Sequence, residues 1–125
     1  MGGGQRLPES QQDMIAVIFE VQPTEAGKPT YLDLAKALRP ELDSIDGFIS
    51  IERFESLTTP GKILSLSIWR DEAALTTWRA HSGHRSAQGN GRHGVFADYR
   101  LRVASVIRDY GLYDRTQAPK DRAWE

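Results

Sequence analysis

The chain contains no cysteine. That absence excludes disulfide bonds, thiolate nucleophiles and zinc–thiolate centres. Long apolar runs are missing too; none approaches the roughly 20 residues that a helix needs to cross a bilayer. Nor is there an excess of one charge: 16 Lys and Arg stand against 17 Asp and Glu, a formal net charge of −1, with the signs interspersed. This is not the basic footprint of a nucleic-acid binder, although Arg100, Arg102 and Arg108 gather near the end. The opening Met1-Gly2-Gly3-Gly4-Gln5-Arg6 lacks the apolar core of a secretory leader, and Arg6 stands where myristoylation requires Ser or Thr. The expectation is a cytoplasmic protein with neither nucleic-acid nor membrane partners. No P-loop or dinucleotide fingerprint occurs, since Gly89-Asn90-Gly91 is too short and wrongly placed to cradle phosphate.

What is present is a 125-residue chain, long enough for one core and too short for two domains. Residues 1–13 are rich in Gly and Gln and read as a flexible lead-in, residues 14–112 as the folded domain, and residues 113–125 as a polar tail in which Trp124 could dock. Met14 to Val21 is apolar at nearly every position, as in a strand covered on both faces. Tyr31, Leu34, Ala35, Leu38 and Leu42 then recur at helical spacing, predicting an amphipathic helix over about 29–43, with a break or kink at Pro40. Phe48 to Glu55 reads as a second strand. The Thr58-Thr59-Pro60-Gly61-Lys62 turn joins it as a hairpin to a third, in which Leu64, Leu66 and Ile68 alternate with Ser65 and Ser67. Trp69, at the end of that strand, is expected in the core.

Asp71 supplies an N-cap oxygen and Glu72 suits the positive end of a second helix, predicted to run on to Gln88. A glycine-rich bend leads to a last strand over 95–107. Strict alternation puts Val95, Ala97, Tyr99, Leu101, Val103 and Ile107 on one face and Phe96, Asp98, Arg100, Arg102, Ala104 and Val106 on the other. Arg100 and Arg102 are expected to pair with carboxylates such as Glu52 across the sheet. The order β-α-β-β-α-β predicts an α+β fold, the ferredoxin-like arrangement of a four-stranded antiparallel sheet with both helices on one face. The naked face should carry apolar side chains from residues 14–21 and 48–54, a patch larger than soluble monomers usually tolerate. A two-fold homodimer, closing two sheets face to face, follows as an expectation.

The second helix is the most informative stretch. At about 100° per residue, Ala74, Trp78, His81, Arg85 and Gln88 fall on one stripe. Such a stripe either packs into the core or lines a pocket, and spacing alone weighs toward packing. His84 beside Arg85 reads as a surface pair, and His93 in the glycine-rich bend as solvated. No two of the three His residues stand at i, i+4, no carboxylate completes a ligand set, and no metal site is expected. Ser82 has no His or Asp at a spacing that would support nucleophilic catalysis.

Several segments together resemble the antibiotic biosynthesis monooxygenase (ABM) domain family, small dimeric α+β barrels. They are Ile15-Ala16-Val17-Ile18-Phe19-Glu20-Val21, Gly47-Phe48, Ser67-Ile68-Trp69-Arg70-Asp71-Glu72-Ala73-Ala74, Trp78, His84-Arg85-Ser86-Ala87-Gln88, and Phe96 to Ala104, in order over about residues 14–110. The resemblance implies one of two chemistries. In the haem-degrading branch a helical Trp distorts the porphyrin, a His later in that helix ligates iron and an Asn of the first strand assists. Trp78 matches, but Gln88 occupies the His position and the first strand has no Asn, so haem is not favoured. In the cofactor-independent branch a phenolic or anthrone-like substrate reacts with O₂ through a carbanion, which needs an apolar cavity, a proton acceptor and oxyanion donors. This implies His81 as base, with Trp78 and Arg85 as its catalytic companions, and Gln88, Tyr99 and Phe19 as substrate-binding residues, without metal or flavin. A small aromatic or quinone-related molecule is the expected substrate. A non-catalytic ligand-binding or stress-response barrel is the reading from another class.

Overall fold

The structure is a computed structural model and describes residues 13–81 and 94–120. Strand β1 (Ile15–Pro23) leads to helix α1 (Gly27–Asp43), the hairpin β2 (Phe48–Glu55) and β3 (Ile63–Trp69), helix α2 (Glu72–Arg79) and strand β4 (Phe96–Ser105). The sheet order is β2-β3-β1-β4, with every neighbouring pair antiparallel. This is the predicted ferredoxin-like α+β arrangement, and it explains why Ile15, Val17, Phe19 and Val21 of β1 are all apolar. A central strand with one side against helices needs apolar groups on that side, whereas the opposite side is mixed, with Ala16 and Ile18 followed by Glu20 and Gln22.

Cross-strand register decides which side chains share a face. Ile15 lies opposite Trp69, Val17 opposite Ser67, Phe19 opposite Ser65 and Val21 opposite Ile63. The helices cover this layer. Leu42 of α1 and Ala74, Leu75 and Trp78 of α2 pack with Ile15 and Trp69, while Tyr31 of α1 packs with Val21 and Ile63 towards the other end. The second layer carries Ala16 opposite Ile68, Ile18 opposite Leu66 and Glu20 opposite Leu64, and no helix covers it. Strand β3 therefore turns its serines inward and its leucines outward: Ser65 and Ser67 are buried, whereas Leu64, Leu66 and Ile68 are only half-buried.

Helix α1 begins at Gly27, two residues before the predicted start, because Thr24 organises its first turn. The Thr24 hydroxyl accepts the Gly27 N–H at 2.8 Å and the Thr24 carbonyl accepts the Lys28 N–H at 3.0 Å. Thr24 is itself fixed to the start of β4, donating its N–H to the Val95 carbonyl at 2.9 Å. A Cβ at Gly27 would collide with that same carbonyl. Pro40 does not break the helix, which runs through it to Asp43. In the last turn a proline forgoes one bond to the carbonyl four residues back, which the remaining helix tolerates. The turn into β2 requires a positive φ, 94° at Gly47, where a Cβ would stand 2.6 Å from the Ala74 Cβ.

Helix α2 opens as predicted, with the Asp71 carboxylate accepting the Ala74 N–H at 2.9 Å. It closes much sooner than predicted, at Arg79. The His81 N–H bonds the Trp78 carbonyl at 2.9 Å, an i→i−3 bond that tightens the chain out of α-helical phase. His81 is therefore not the next residue of the Ala74–Trp78 stripe. Arg85 and Gln88, like His84, His93 and Trp124, lie outside the described residues.

Strand β4 differs from strict alternation in two respects. Tyr99 opposes Val21 and Asp98 opposes Gln22, but Phe96 opposes Pro23, so a bulge at Ala97 absorbs one residue. The bulge moves Phe96 onto the helix-covered face beside Tyr99, contrary to the alternation. Arg102 pairs with Glu20 at 2.7 Å rather than with Glu52. The reason is topological: β4 neighbours β1, while Glu52 sits on β2 at the opposite edge. Beyond β4 the chain makes turns, with the Gly111 N–H donating to the Asp114 carbonyl at 2.8 Å. Among the described residues no helix is long and apolar enough to cross a membrane.

Candidate active site

A cavity of about 580 Å³ lies between the helix-covered sheet face and the two helices. Its floor is Val17 and Phe19 of β1 with Ser65 and Ser67 of β3. Leu34 and Leu38 of α1 and Leu75 and Trp78 of α2 form its roof. The side along β4 is open, and there Leu101 and Val103 remain 49% and 48% exposed although they line the same hollow. The cavity exists because Ser65 and Ser67 are too small to fill the space that larger inward residues would occupy. Trp69, below them, is locked by its indole N–H, which donates to the Ser67 hydroxyl at 2.9 Å.

Of the residues singled out from sequence, Trp78, Phe19 and Tyr99 all line this cavity. Phe19 and Tyr99 have their ring centres 5.6 Å apart, and Phe96 adds an edge-on contact to Phe19 at 5.7 Å. Trp78 is buried in the core cluster and lines the cavity at once, so packing and pocket are not alternatives for it. His81 stacks on Trp78, with centres 5.4 Å apart and planes 23° from parallel. Its Nε2 is 3.9 Å from the Glu41 carboxylate, which places it beside the cavity rather than in the described wall.

The polar groups of the wall escaped the sequence reading. Arg39, Arg53 and Arg79 line the cavity, and no carboxylate does so among the described residues. Arg39 is engaged by Asp43 at 2.9 Å and lies over the Phe48 ring. Arg53 donates its Nε–H to the Tyr31 hydroxyl at 3.2 Å, with its guanidinium 5.7 Å from the Tyr31 ring centre. One signal for Arg53 was legible: it stands two residues after Ile51 on β2, an arginine in phase with an inward-facing apolar position. Nothing local marked Ser65 and Ser67 as inward, because the leucines beside them are the more apolar set.

Charged groups outside the cavity tie the frame together. Glu20 accepts from Lys62 and from Arg102, each at 2.7 Å. The Lys62 hydrogen bond and charge, with Arg102 behind them, hold its carboxyl below the usual range. The Ala74 amide and the Arg70 guanidinium depress Asp71 in the same way. Arg70 also reaches Asp46 at 3.1 Å and donates its backbone N–H to the Gly47 carbonyl at 2.7 Å, stapling the start of α2 to the α1–β2 turn. Among the described residues no group of three His, Asp or Glu side chains is arranged to hold a metal ion.

Residues 14–90, more than half of the chain, match the family described as antibiotic biosynthesis monooxygenase. The chain belongs to that family. A curated ABM relative, jasmonate monooxygenase ABM of Pyricularia oryzae, is 56% identical over 93 residues, covering 74% of this chain and 43% of that protein. The chain thus spans less than half the length of that relative. Among solved structures, Rv0793 of Mycobacterium tuberculosis superposes with a TM-score of 0.71 at 17% identity, covering 79% of this chain and 100% of the other. A variant of SnoaB, a cofactor-independent oxygenase from Streptomyces nogalater, superposes with a TM-score of 0.67 at 10% identity, covering 78% and 96%. At these identities the two structures speak for the ABM fold alone.

Proposed function

We propose that this chain is an ABM-type monooxygenase that inserts an oxygen atom from O₂ into a small aromatic or quinone-related ring compound without metal or flavin. The observation that carries this reading is the aromatic-walled cavity itself, bounded by Trp78, Phe19 and Tyr99, in a chain of this family. A substrate with an acidic CH₂ beside a carbonyl needs no external reductant. Loss of one proton gives a carbanion that reduces O₂, and a hydroperoxide forms at carbon. Elimination of water then leaves a new C=O, so that R₂CH₂ + O₂ yields R₂C=O + H₂O. The protein has to bind the ring, accept a proton and stabilise the oxyanion.

In this reading Trp78 stacks on the substrate ring and Phe19 and Tyr99 hold its opposite edge. His81 accepts the proton; its Nε2 stands 3.9 Å from the Glu41 carboxylate. Arg85 and Gln88 complete the set as oxyanion donors. Two protomers close their uncovered sheet faces on each other, burying Ile18, Leu64, Leu66 and Ile68. The name of the 56%-identical relative supports a second substrate, jasmonate, a cyclopentanone bearing a carboxylate side chain. Its simple hydroxylation would require a two-electron donor in addition to O₂.

Oxygen uptake with an anthrone, a hydroquinone and jasmonate tests the proposal, with product mass as readout. His81→Ala should abolish uptake with the anthrone. Undiminished turnover in that variant removes His81 as base, and no uptake with any of the three leaves a non-catalytic ligand-binding barrel. A Soret shift at stoichiometric haem would redirect the reading to haem chemistry.

A further inference from the structure

The walls of the cavity carry a charge imbalance that the oxygenase chemistry does not use. Three guanidinium groups line it, and among the described residues no carboxylate faces them across the space. Arg39 is satisfied by Asp43 at 2.9 Å. Arg53 makes no ion pair with a described residue. Its Nε–H is committed to the Tyr31 hydroxyl at 3.2 Å and its plane leans on the Tyr31 ring, 5.7 Å from the centre. These contacts fix the orientation of the fork and leave its two terminal amino groups to a partner from outside the wall. Tyr31 is itself buried against Val21 and Ile63, so the support beneath the guanidinium is rigid.

We infer that Arg53, oriented by Tyr31, is an anchor for an acidic group on the ligand, and that the cavity selects small apolar ring compounds carrying a carboxylate. The inference rests on the proposed oxygenase reading for the identity of the cavity as the substrate site. Its physical basis is separate. An apolar hollow of about 580 Å³ accommodates the ring, and Arg53, an exposed residue at its wall with no ion pair among the described residues, gives a carboxylate a charge-assisted, two-pronged partner. A neutral analogue of the same shape forgoes that partner. Among the described residues no carboxylate lines the cavity opposite Arg53 and Arg79, an arrangement that favours an anion over a cation.

The test is calorimetric titration of the full chain under argon, so that no turnover intervenes. Two probe pairs differ only in charge: jasmonate against methyl jasmonate, and 1-naphthoate against methyl 1-naphthoate. In at least one pair the acid should bind about 10- to 100-fold tighter than its ester, the range expected for a hydrogen-bonded charge partner. Arg53→Gln and Arg53→Met, each checked for an unchanged melting curve, should erase that preference while leaving ester affinity in place. Arg53→Lys, which keeps the charge but not the fork, should retain part of it. Acids that bind no tighter than their esters in both pairs overturn the anchor, as does a preference that survives both neutral variants. An intact acid preference without any oxygen uptake overturns the oxygenase reading and leaves the anchor standing. Oxygen uptake with equal affinity for acid and ester does the reverse.

Discussion

Replacing Leu66 with lysine tests whether the uncovered sheet face is an interface between two copies of the chain. Leu66 lies mid-strand on that face, opposite Ile18 on one side and Glu52 on the other. It is only half-buried within the protomer, so a partner sheet would bury the remaining half. Half of a leucine's burial is about 1 kcal/mol, and the two-fold counts it twice, giving about 2 kcal/mol. Each dimer would also have to desolvate two ammonium groups. Glu52 offsets part of that cost, leaving on the order of 2–4 kcal/mol. The sum, about 4–6 kcal/mol, raises the dissociation constant on the order of 10³- to 10⁴-fold. The isolated protomer should tolerate the change, since a lysine opposite Glu52 is a favourable cross-strand pair. Sedimentation velocity at micromolar concentration should then show a wild-type dimer and a Leu66→Lys monomer with an unchanged circular dichroism spectrum. A wild-type monomer, or a variant that remains as dimeric as the wild type, refutes the reasoning.

Gly47→Ala should destabilise the protein by about 2 kcal/mol or more, because it puts a side chain at a φ of 94° and brings a Cβ to 2.6 Å from Ala74; a melting temperature within a degree of wild type would contradict this. Acid should weaken the fold through Asp71 and Glu20, whose folded carboxyls titrate below their ordinary values. Their contribution is complete above those ordinary values and fades as pH falls through the lower folded ones, so urea midpoints should drop below about pH 4. Glu20→Gln should flatten that drop, and a midpoint equally acid-sensitive in wild type and variant would count against the assigned cause.

Much of the frame was legible because its signals are local. The alternation of β3, the apolar run that opens β1 and the Asp71 cap depend on neighbours within a few residues, and the structure reproduces them. The candidate site was legible in part: Trp78, Phe19 and Tyr99, singled out from sequence, line one cavity. Periodicity could not decide whether Trp78 packs or lines a pocket, because it does both. The end of α2 was misjudged for a similar reason. An i→i−3 bond at His81 costs nothing that composition would flag, yet it removes His81 from the stripe.

The order of the elements and most of their limits, the end of α2 excepted, are written in the chain, since these follow from the hydrophobic period and from turn chemistry. Folding in three dimensions settled which face of β3 looks inward, that Phe96 joins Tyr99 through a bulge, that Arg102 meets Glu20, and that Arg53 and Tyr31 stand together at the cavity wall. Each depends on pairing or packing between segments far apart in the chain. Strand order and register create them, and no short window of sequence carries either.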